Sequence, residues 1–355
     1  MKERLTKIRK LLIDNQLDGI MIHSPVNRKY LSGFTGSAGI LLISQSLAVL
    51  LTDFRYIEQA KKQATDFIII DYMAEGLYNE INKFIKKENI NRLAIEAEKL
   101  SYKEYREYNE KLDAQLVPTE KLVENIRKIK DKDEIKRIKQ AAAIGDEAFR
   151  HILSFLKAGI SERDIALELE YYMKKHGASD LSFSTIVASG AFSALPHWEP
   201  GERKLEVGDF VVMDFGCIYK GYCSDMTRTV VIGKASSRQK EIYDIVFQAQ
   251  MAALEGLGPF KRGKEIDKIA RDYIEMKGYG SCFGHGLGHC VGMEIHENPR
   301  LSKNEEEEFL PGMVVTVEPG IYIPDFGGVR IEDLVLITDD GIEILTKSPK
   351  ELIEI

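Results

Sequence analysis

Acidic residues stand on some of the most apolar strands this chain can form, and that limits how it can fold. "DFVVMDFG" (209–216) reads as a buried strand, yet Asp214 lies near its end. Asp225 lies near the start of the next strand, "CSDMTRTVVIG" (223–233), across the turn "IYKGY", where Gly221 is free to take a positive φ. A hairpin folded about Tyr219 and Lys220 sets Asp214 opposite Asp225, with Cβ atoms roughly 4.5–5.5 Å apart. The pattern recurs downstream. Glu318 in "MVVTVEPG" and Glu332 in "GVRIED" are brought face to face by a turn centred on Asp325. One such pair can share a proton or lean on an arginine. Two pairs on buried strands of one domain point to bound metal.

The stretch "GHGLGHCVGMEIHENP" (284–299) adds three of the chain's seven histidines, His285, His289 and His296. His289 supplies a nitrogen ligand. Imidazole with carboxylates suits zinc, manganese, iron or cobalt better than calcium, which prefers oxygen alone. Charge sets the number of ions. Four carboxylates and a hydroxide carry five negative charges, which one divalent ion leaves in large excess and two nearly cancel. A binuclear site with ions roughly 3.5–4 Å apart is the expectation.

Around this centre the chain is organised in two parts. Up to about residue 120, short apolar runs ("DGIMI", "GILLIS", "LAVLL", "FIIIDY", "RLAIE") alternate with helical stretches near 54–64, 77–87 and 101–112, which predicts a three-layer α/β domain. An opening helix presents Leu5, Ile8, Leu11 and Leu12 on one face. A charged helix, "ENIRKIKDKDEIKRIKQ", leads into the second part, and another follows with Ser161 as its N-cap and Gly177 as its stop. Beyond residue 180 strands and tight turns dominate, interrupted by helices near 237–256 and 263–277, an α+β pattern with a largely antiparallel sheet. Domains of 1–122 and 123–355 are expected.

A length of 355 residues allows two cores, and 44% hydrophobic with 30% charged residues is an ordinary soluble composition. The net charge of −7 argues against a general nucleic-acid binder, and no apolar run has the length of a membrane span. The four cysteines form no C-x-x-C pair, and "MKERLTKIRKLLIDNQ" lacks the apolar centre of a secretory signal, so a reducing cytoplasm is expected.

The order Asp214, Asp225, His289, Glu318, Glu332 resembles the ligand set of the Xaa-Pro peptidases, prolidase and aminopeptidase P. The blocks "TIVASGAFSALPH", "VVMDFGCIYKGYCSDMTRT", "HGLGHCVGMEIHENP", "GMVVTVEPGIYI" and "GVRIEDLV" carry the likeness, joined by "NRKYLSGFTGSAG" and "LLTDFRYIEQA" near the start. The resemblance implies a pita-bread catalytic domain behind a smaller creatinase-like α/β domain, a homodimer, and hydrolysis of the bond preceding proline in short peptides. It implies two divalent ions, manganese first with cobalt or zinc as alternatives. His285, His296 and His197 (from "LPHW") are then expected to line the substrate pocket, with His296 stabilising the oxyanion and Glu318 shuttling a proton. Arg330, on the strand face of Glu332, is expected to orient a carboxylate. Tyr322 is either a site residue or a packed aromatic.

Rival readings meet obstacles. "HENPR" is not H-E-x-x-H, and "GHGLGH" lacks dinucleotide-fingerprint spacing. Methionine aminopeptidases share the ligands but usually lack a large amino-terminal domain, and creatinase-like hydrolases lack the ligands. A non-catalytic binding module on this fold typically loses ligands, and none is lost here. Between dipeptidase and aminopeptidase, "PHWEP" places a bulky Trp198 beside the pocket and favours dipeptides. A dipeptidase must also clamp the substrate's terminal carboxylate with a cation or close the pocket's far end, a wall expected from the amino-terminal domain, with Arg55 among the candidates.

Overall fold

A computed structural model describes residues 1–355, and they form two compact units, Met1–Arg127 and Lys128–Ile355. The first contains α1 (Lys2–Asp14), β1 (Gly19–Ile22), α2 (Pro25–Ser32), β2 (Ile40–Ser44), β3 (Ala48–Thr52), α3 (Ile57–Gln63), β4 (Ile68–Asp71), α4 (Leu77–Lys87), β5 (Arg92–Glu96), α5 (Tyr102–Lys111), β6 (Gln115–Thr119) and α6 (Leu122–Arg127). Its strands form one mixed sheet in the order β4-β3-β2-β1-β5-β6. Every residue of β1, β2 and β3 is buried, so both faces of the sheet are covered. On one face Met21, Leu42, Leu51 and Ile95 pack with Ile81, Phe84 and Ile85 of α4. Strand alternation turns Ile20, Leu41, Ile43 and Leu50, equally buried, to the other. This is the three-layer arrangement that the alternating pattern implied.

The second unit begins with α7 (Lys132–Leu153) and α8 (Glu162–Lys175). The Ser161 side chain accepts the Asp164 N–H to cap α8, and the helix runs out just before Gly177, at φ 108, as the sequence indicated. Next come β7 (Asp180–Leu181), β8 (Ile186–Ser189), β9 (Phe210–Phe215), β10 (Cys217–Tyr219), β11 (Tyr222–Cys223) and β12 (Met226–Val231). Helices α9 (Ser237–Gly256) and α10 (Gly263–Met276) follow, where the sequence put them. The rest comprises β13 (Gly288–Cys290), β14 (Glu297–Leu301), β15 (Val314–Val317), β16 (Gly320–Ile323), β17 (Gly327–Arg330), β18 (Asp333–Ile337), β19 (Ile342–Ile344) and β20 (Ile353–Glu354). The main sheets are β20-β12-β9-β8 and β14-β13-β15-β18-β19, antiparallel except for the β12–β20 pair.

Each helix pair covers strands on their apolar side. Ile144, Phe149, Ile165 and Leu169 of α7 and α8 pack on Val211, Met213 and Val230. Ile242, Val246, Ile266 and Ala270 of α9 and α10 pack on Val315, Val317 and Val335. Burying each large apolar side chain contributes about 1.5–3 kcal/mol, which fixes which face of each strand turns inward. Alternation then dictates the site. If Met213 faces the helices, Asp214 faces away, and if Val317 faces them, so do Thr316 and Glu318 face away. This is the pita-bread fold.

One register differs from the sequence reading. Asp214 pairs with Thr227 rather than Asp225, and Tyr219 pairs with Tyr222. The turn is therefore Lys220–Gly221, with φ of 48° and 86°, both left-handed as a two-residue type I′ turn requires. Placing Tyr219 in the turn would have put a bulky aromatic where a glycine stands ready one step on. The slip is two residues, so parity survives and both acids still share a face.

Candidate metal centre

Asp214, Asp225 and Glu332 each offer a carboxylate oxygen, and these atoms lie within 4.8 Å of one another. Glu332 is 1% exposed and Asp225 4%, so water does little to screen them. Val317 pairs with Asp333 in one ladder and Gly320 with Arg330 in the next, so Glu318 and Glu332 face each other at the break between the two. Their own N–H groups donate elsewhere, Glu318 to the Leu287 carbonyl (2.8 Å) and Glu332 to the Thr227 carbonyl (3.1 Å).

His289 enters on β13. Its Nδ1 lies 3.1 Å from the Cys290 carbonyl, which can only accept, so Nδ1 carries the proton and Nε2 presents a lone pair. That Nε2 lies 3.6 Å from Asp225 Oδ2 and 3.4 Å from Glu318 Oε1. Burial first, then neighbouring His296, holds the His289 pKa at about 4, keeping the imidazole neutral as a ligand must be. Burial raises Asp225 and Glu332 well above the usual carboxylate range, reinforced by the other acids, and pushes Glu318 to about 7.

A chain of hydrogen bonds orients these groups. Arg330 donates from Nη2 to Asp214 Oδ2 (2.6 Å), from Nε to Thr227 Oγ1 (3.0 Å) and from Nη1 to Tyr322 Oη (2.9 Å). The Thr227 hydroxyl in turn donates a hydrogen bond to Glu332 Oε2 at 2.6 Å, and the Thr316 hydroxyl donates one to Glu318 Oε1 at 2.9 Å. His285 Nδ1 donates to the Gly286 carbonyl (2.8 Å), so its Nε2 accepts from Tyr322 Oη (3.0 Å). Asp214 Oδ1, by contrast, is buried without any hydrogen-bond partner. Four carboxylates, one of them carrying that orphan oxygen, and a neutral imidazole nitrogen make a donor set suited to divalent transition metals.

The acids form the base of a cavity of about 670 Å³, whose lining includes His197, His285, His296, Trp198, Arg300 and Arg330. His296 stands edge-on to His289, ring centroids 4.5 Å apart, and is itself exposed, as is His197. All the side chains singled out in the second unit thus meet in one place. Arg55 belongs to the first unit, where it is ion-paired with Asp53 at 2.8 Å.

Metallopeptidase family M24 matches residues 136–339, and the creatinase/prolidase N-terminal domain matches residues 4–129. The chain belongs to metallopeptidase family M24. Among solved structures it is similar to an Xaa-Pro dipeptidase from Bacillus anthracis, at 48% identity and a TM-score of 0.97, covering 100% of this chain and 99% of that one. It is also similar to an X-Pro aminopeptidase from Thermotoga maritima, at 39% identity and a TM-score of 0.91, covering 96% and 98%. An Xaa-Pro dipeptidase of Pyrococcus furiosus is 41% identical over 99% of this chain and 100% of its own length.

This M24 peptidase also uses residues that motif reading passed over. Thr227 and Thr316 lie two positions from Asp225 and Glu318, so strand alternation alone would have put them on the same face. Arg228, 1% exposed, pairs with Asp333 at 2.8 Å and donates to the carbonyls of Thr227 and Glu332, stitching the two hairpins where they cross. Arg300, opposite His289 on β14, reaches the cavity with no side-chain partner in the protein.

Proposed function

We propose that this chain is an Xaa-Pro peptidase that cleaves the bond preceding proline in short peptides, with Xaa-Pro dipeptides as the favoured substrates. The observation that carries the reading is the convergence of Asp214, Asp225, His289, Glu318 and Glu332 at the base of one cavity. These five would hold two divalent ions, manganese first, with cobalt or zinc as alternatives. When bound, such ions supply Lewis-acid polarisation of the scissile carbonyl and a water acidic enough to ionise near neutral pH.

The chain's own groups do the rest. Arg330 holds Asp214 and, through Thr227, Glu332, so that the carboxylates keep their places as the substrate enters. Glu318, pinned by Thr316, carries a proton toward the departing proline nitrogen. That nitrogen belongs to a tertiary amide with no hydrogen of its own, so the proton must come from the site. His296 is free of hydrogen bonds to the protein and donates to the oxyanion. His285, held by Tyr322, and His197 at the rim position the peptide. Arg300 is the cation available to a dipeptide's terminal carboxylate.

A second reading, aminopeptidase action on longer Xaa-Pro-Yaa peptides, is favoured by the likeness to the Thermotoga maritima structure. The test compares purified, metal-loaded protein on Xaa-Pro, Xaa-Pro-Yaa and Xaa-Ala peptides, with metal content measured alongside. Faster turnover of Xaa-Pro supports the first reading and faster turnover of Xaa-Pro-Yaa the second. Protein that takes up no transition metal and cleaves none of them is a binding module instead. A homodimer working in the cytoplasm completes the proposal, supported by the family resemblance and by four cysteines that are all free thiols. Light scattering on the purified protein checks the dimer.

A further inference from the structure

Trp198 is the chain's single tryptophan, and it lines the cavity with its ring held on two sides. Its Nε1 donates to Glu162 Oε2 at 2.8 Å, and its ring stacks on Phe192 with centroids 4.3 Å apart and planes 15° from parallel. Glu162 is fully buried at the first position of α8, where the helix dipole favours a carboxylate. Its Oε1 accepts from the Ser189 N–H (2.8 Å) and hydroxyl (2.6 Å), and Oε2 accepts the Gly201 N–H (3.3 Å) as well as the indole. The segment from 189 to 201 is therefore tied at both ends to one buried acid, with Trp198 within it. His197 and Glu199, on either side, are exposed, while the acids at the base are buried. Trp198 and the acids line the same cavity, so a peptide whose scissile carbonyl reaches the acids shares that space with the indole.

We propose that Trp198 is the wall that sets how long a peptide this cavity accepts, and that Glu162 is the residue that positions it. The inference rests on the Xaa-Pro reading above. A dipeptide ends before that wall. A third residue runs into an indole that cannot swing aside without breaking a hydrogen bond to a buried carboxylate and losing its stacking partner. Restriction to short substrates then comes from a fixed apolar surface as well as from any charge that grips the terminal carboxylate.

The experiment measures kcat/KM of the metal-loaded full chain on an Xaa-Pro dipeptide and the matching Xaa-Pro-Yaa tripeptide. W198A is expected to raise the tripeptide-to-dipeptide ratio by at least about tenfold, whereas W198F, which keeps a ring on Phe192, holds it within about threefold. E162Q, which keeps the shape but not the charge that fixes the indole, moves the ratio part of the way. Because Trp198 is alone, its fluorescence reads that wall directly in the unaltered protein. Titration with an Xaa-Pro dipeptide whose scissile bond is reduced to an amine should change the emission saturably. An unchanged ratio in W198A, or silent fluorescence at saturating ligand, overturns the proposal. A wild type that cleaves neither peptide removes the Xaa-Pro reading and this proposal with it, and the wild-type rates alone tell that failure from the first.

Discussion

The hairpin bearing Asp214 and Asp225 and the one bearing Glu318 and Glu332 deliver acids to the same cavity by different means. In the first, one register runs from the β9–β12 ladder through the Lys220–Gly221 turn, and its acids sit two residues off direct opposition. In the second, the acids face each other but stand outside the pairing, at a break where the chain passes from one sheet to another and their N–H groups bond to Leu287 and Thr227 instead. Parity alone secures the first pair. The second depends on neighbours from other strands. The support is also uneven: Arg330 and Thr227 serve Asp214 and Glu332, one acid from each hairpin, while Thr316 serves Glu318 within its own strand.

The sharpest break in this comparison is at the first hairpin. Asp225→Asn keeps shape and removes a charge that nothing else in the ladder replaces. It should lower kcat by at least about a thousandfold and cut bound metal, well beyond the 10–100-fold typical of a supporting residue. Near-normal turnover with full metal content would end the two-ion account. His296→Ala comes next, with kcat falling roughly 10²–10³-fold if it stabilises the oxyanion, while metal content holds. The second half of the unit supplies His285, His289 and His296, the first only His197. A matched His197→Ala therefore asks whether the halves share the chemistry or divide it. A larger kcat loss in H197A than in H296A would reverse the assignment.

How far the sequence could be read follows the same physics. Side-chain direction along a strand obeys a strict alternation of two, so apolar runs interrupted by acids revealed which face each carboxylate takes. Register obeys the turn, and sequence leaves a turn about Tyr219–Lys220 and one about Lys220–Gly221 on a level; the positive φ of both Lys220 and Gly221 decides for the second. The break beside Pro319 was not legible, since nothing in "VEPGI" announces that the N–H of Glu318 goes to Leu287. Thr227 and Thr316 were within reach of the alternation argument, but a threonine on a strand usually means only β propensity. Glu162 was hidden more deeply: first-turn acids are ordinary, and its bond to an indole thirty-six residues away is a purely tertiary fact.

The two threonines turn the uneven support into a smaller measurement. Thr227→Val removes the hydroxyl that accepts from Arg330 and donates to Glu332, so both hairpins should loosen, with metal affinity or kcat falling about 10–100-fold. Thr316→Val leaves the first hairpin alone and loosens Glu318 and, on β13, His289, whose N–H Thr316 also accepts at 3.0 Å. Its effect should be smaller. Equal losses would mean that the acids act as one cluster regardless of which strand supports them.

The mildest test strips the metal and varies pH, asking whether the second hairpin's acids are under strain without it. Glu318 is raised from its ordinary value of 4.5 to about 7, by burial above all. A carboxyl that holds its proton more tightly when folded stabilises the fold fully below its unfolded pKa, and that contribution drains away as the pH climbs through the folded value. Stripped protein should therefore lose several degrees of Tm as the pH rises from about 5 to about 8, because ionised carboxylates then crowd one another without a counter-charge. Glu318→Gln, which has no proton to lose, should flatten part of that slope, and reloading with manganese should flatten more of it. An apo protein whose Tm is level across this range would show that the break beside Pro319 lets Glu318 relax toward solvent. The second hairpin would then be the more forgiving of the two.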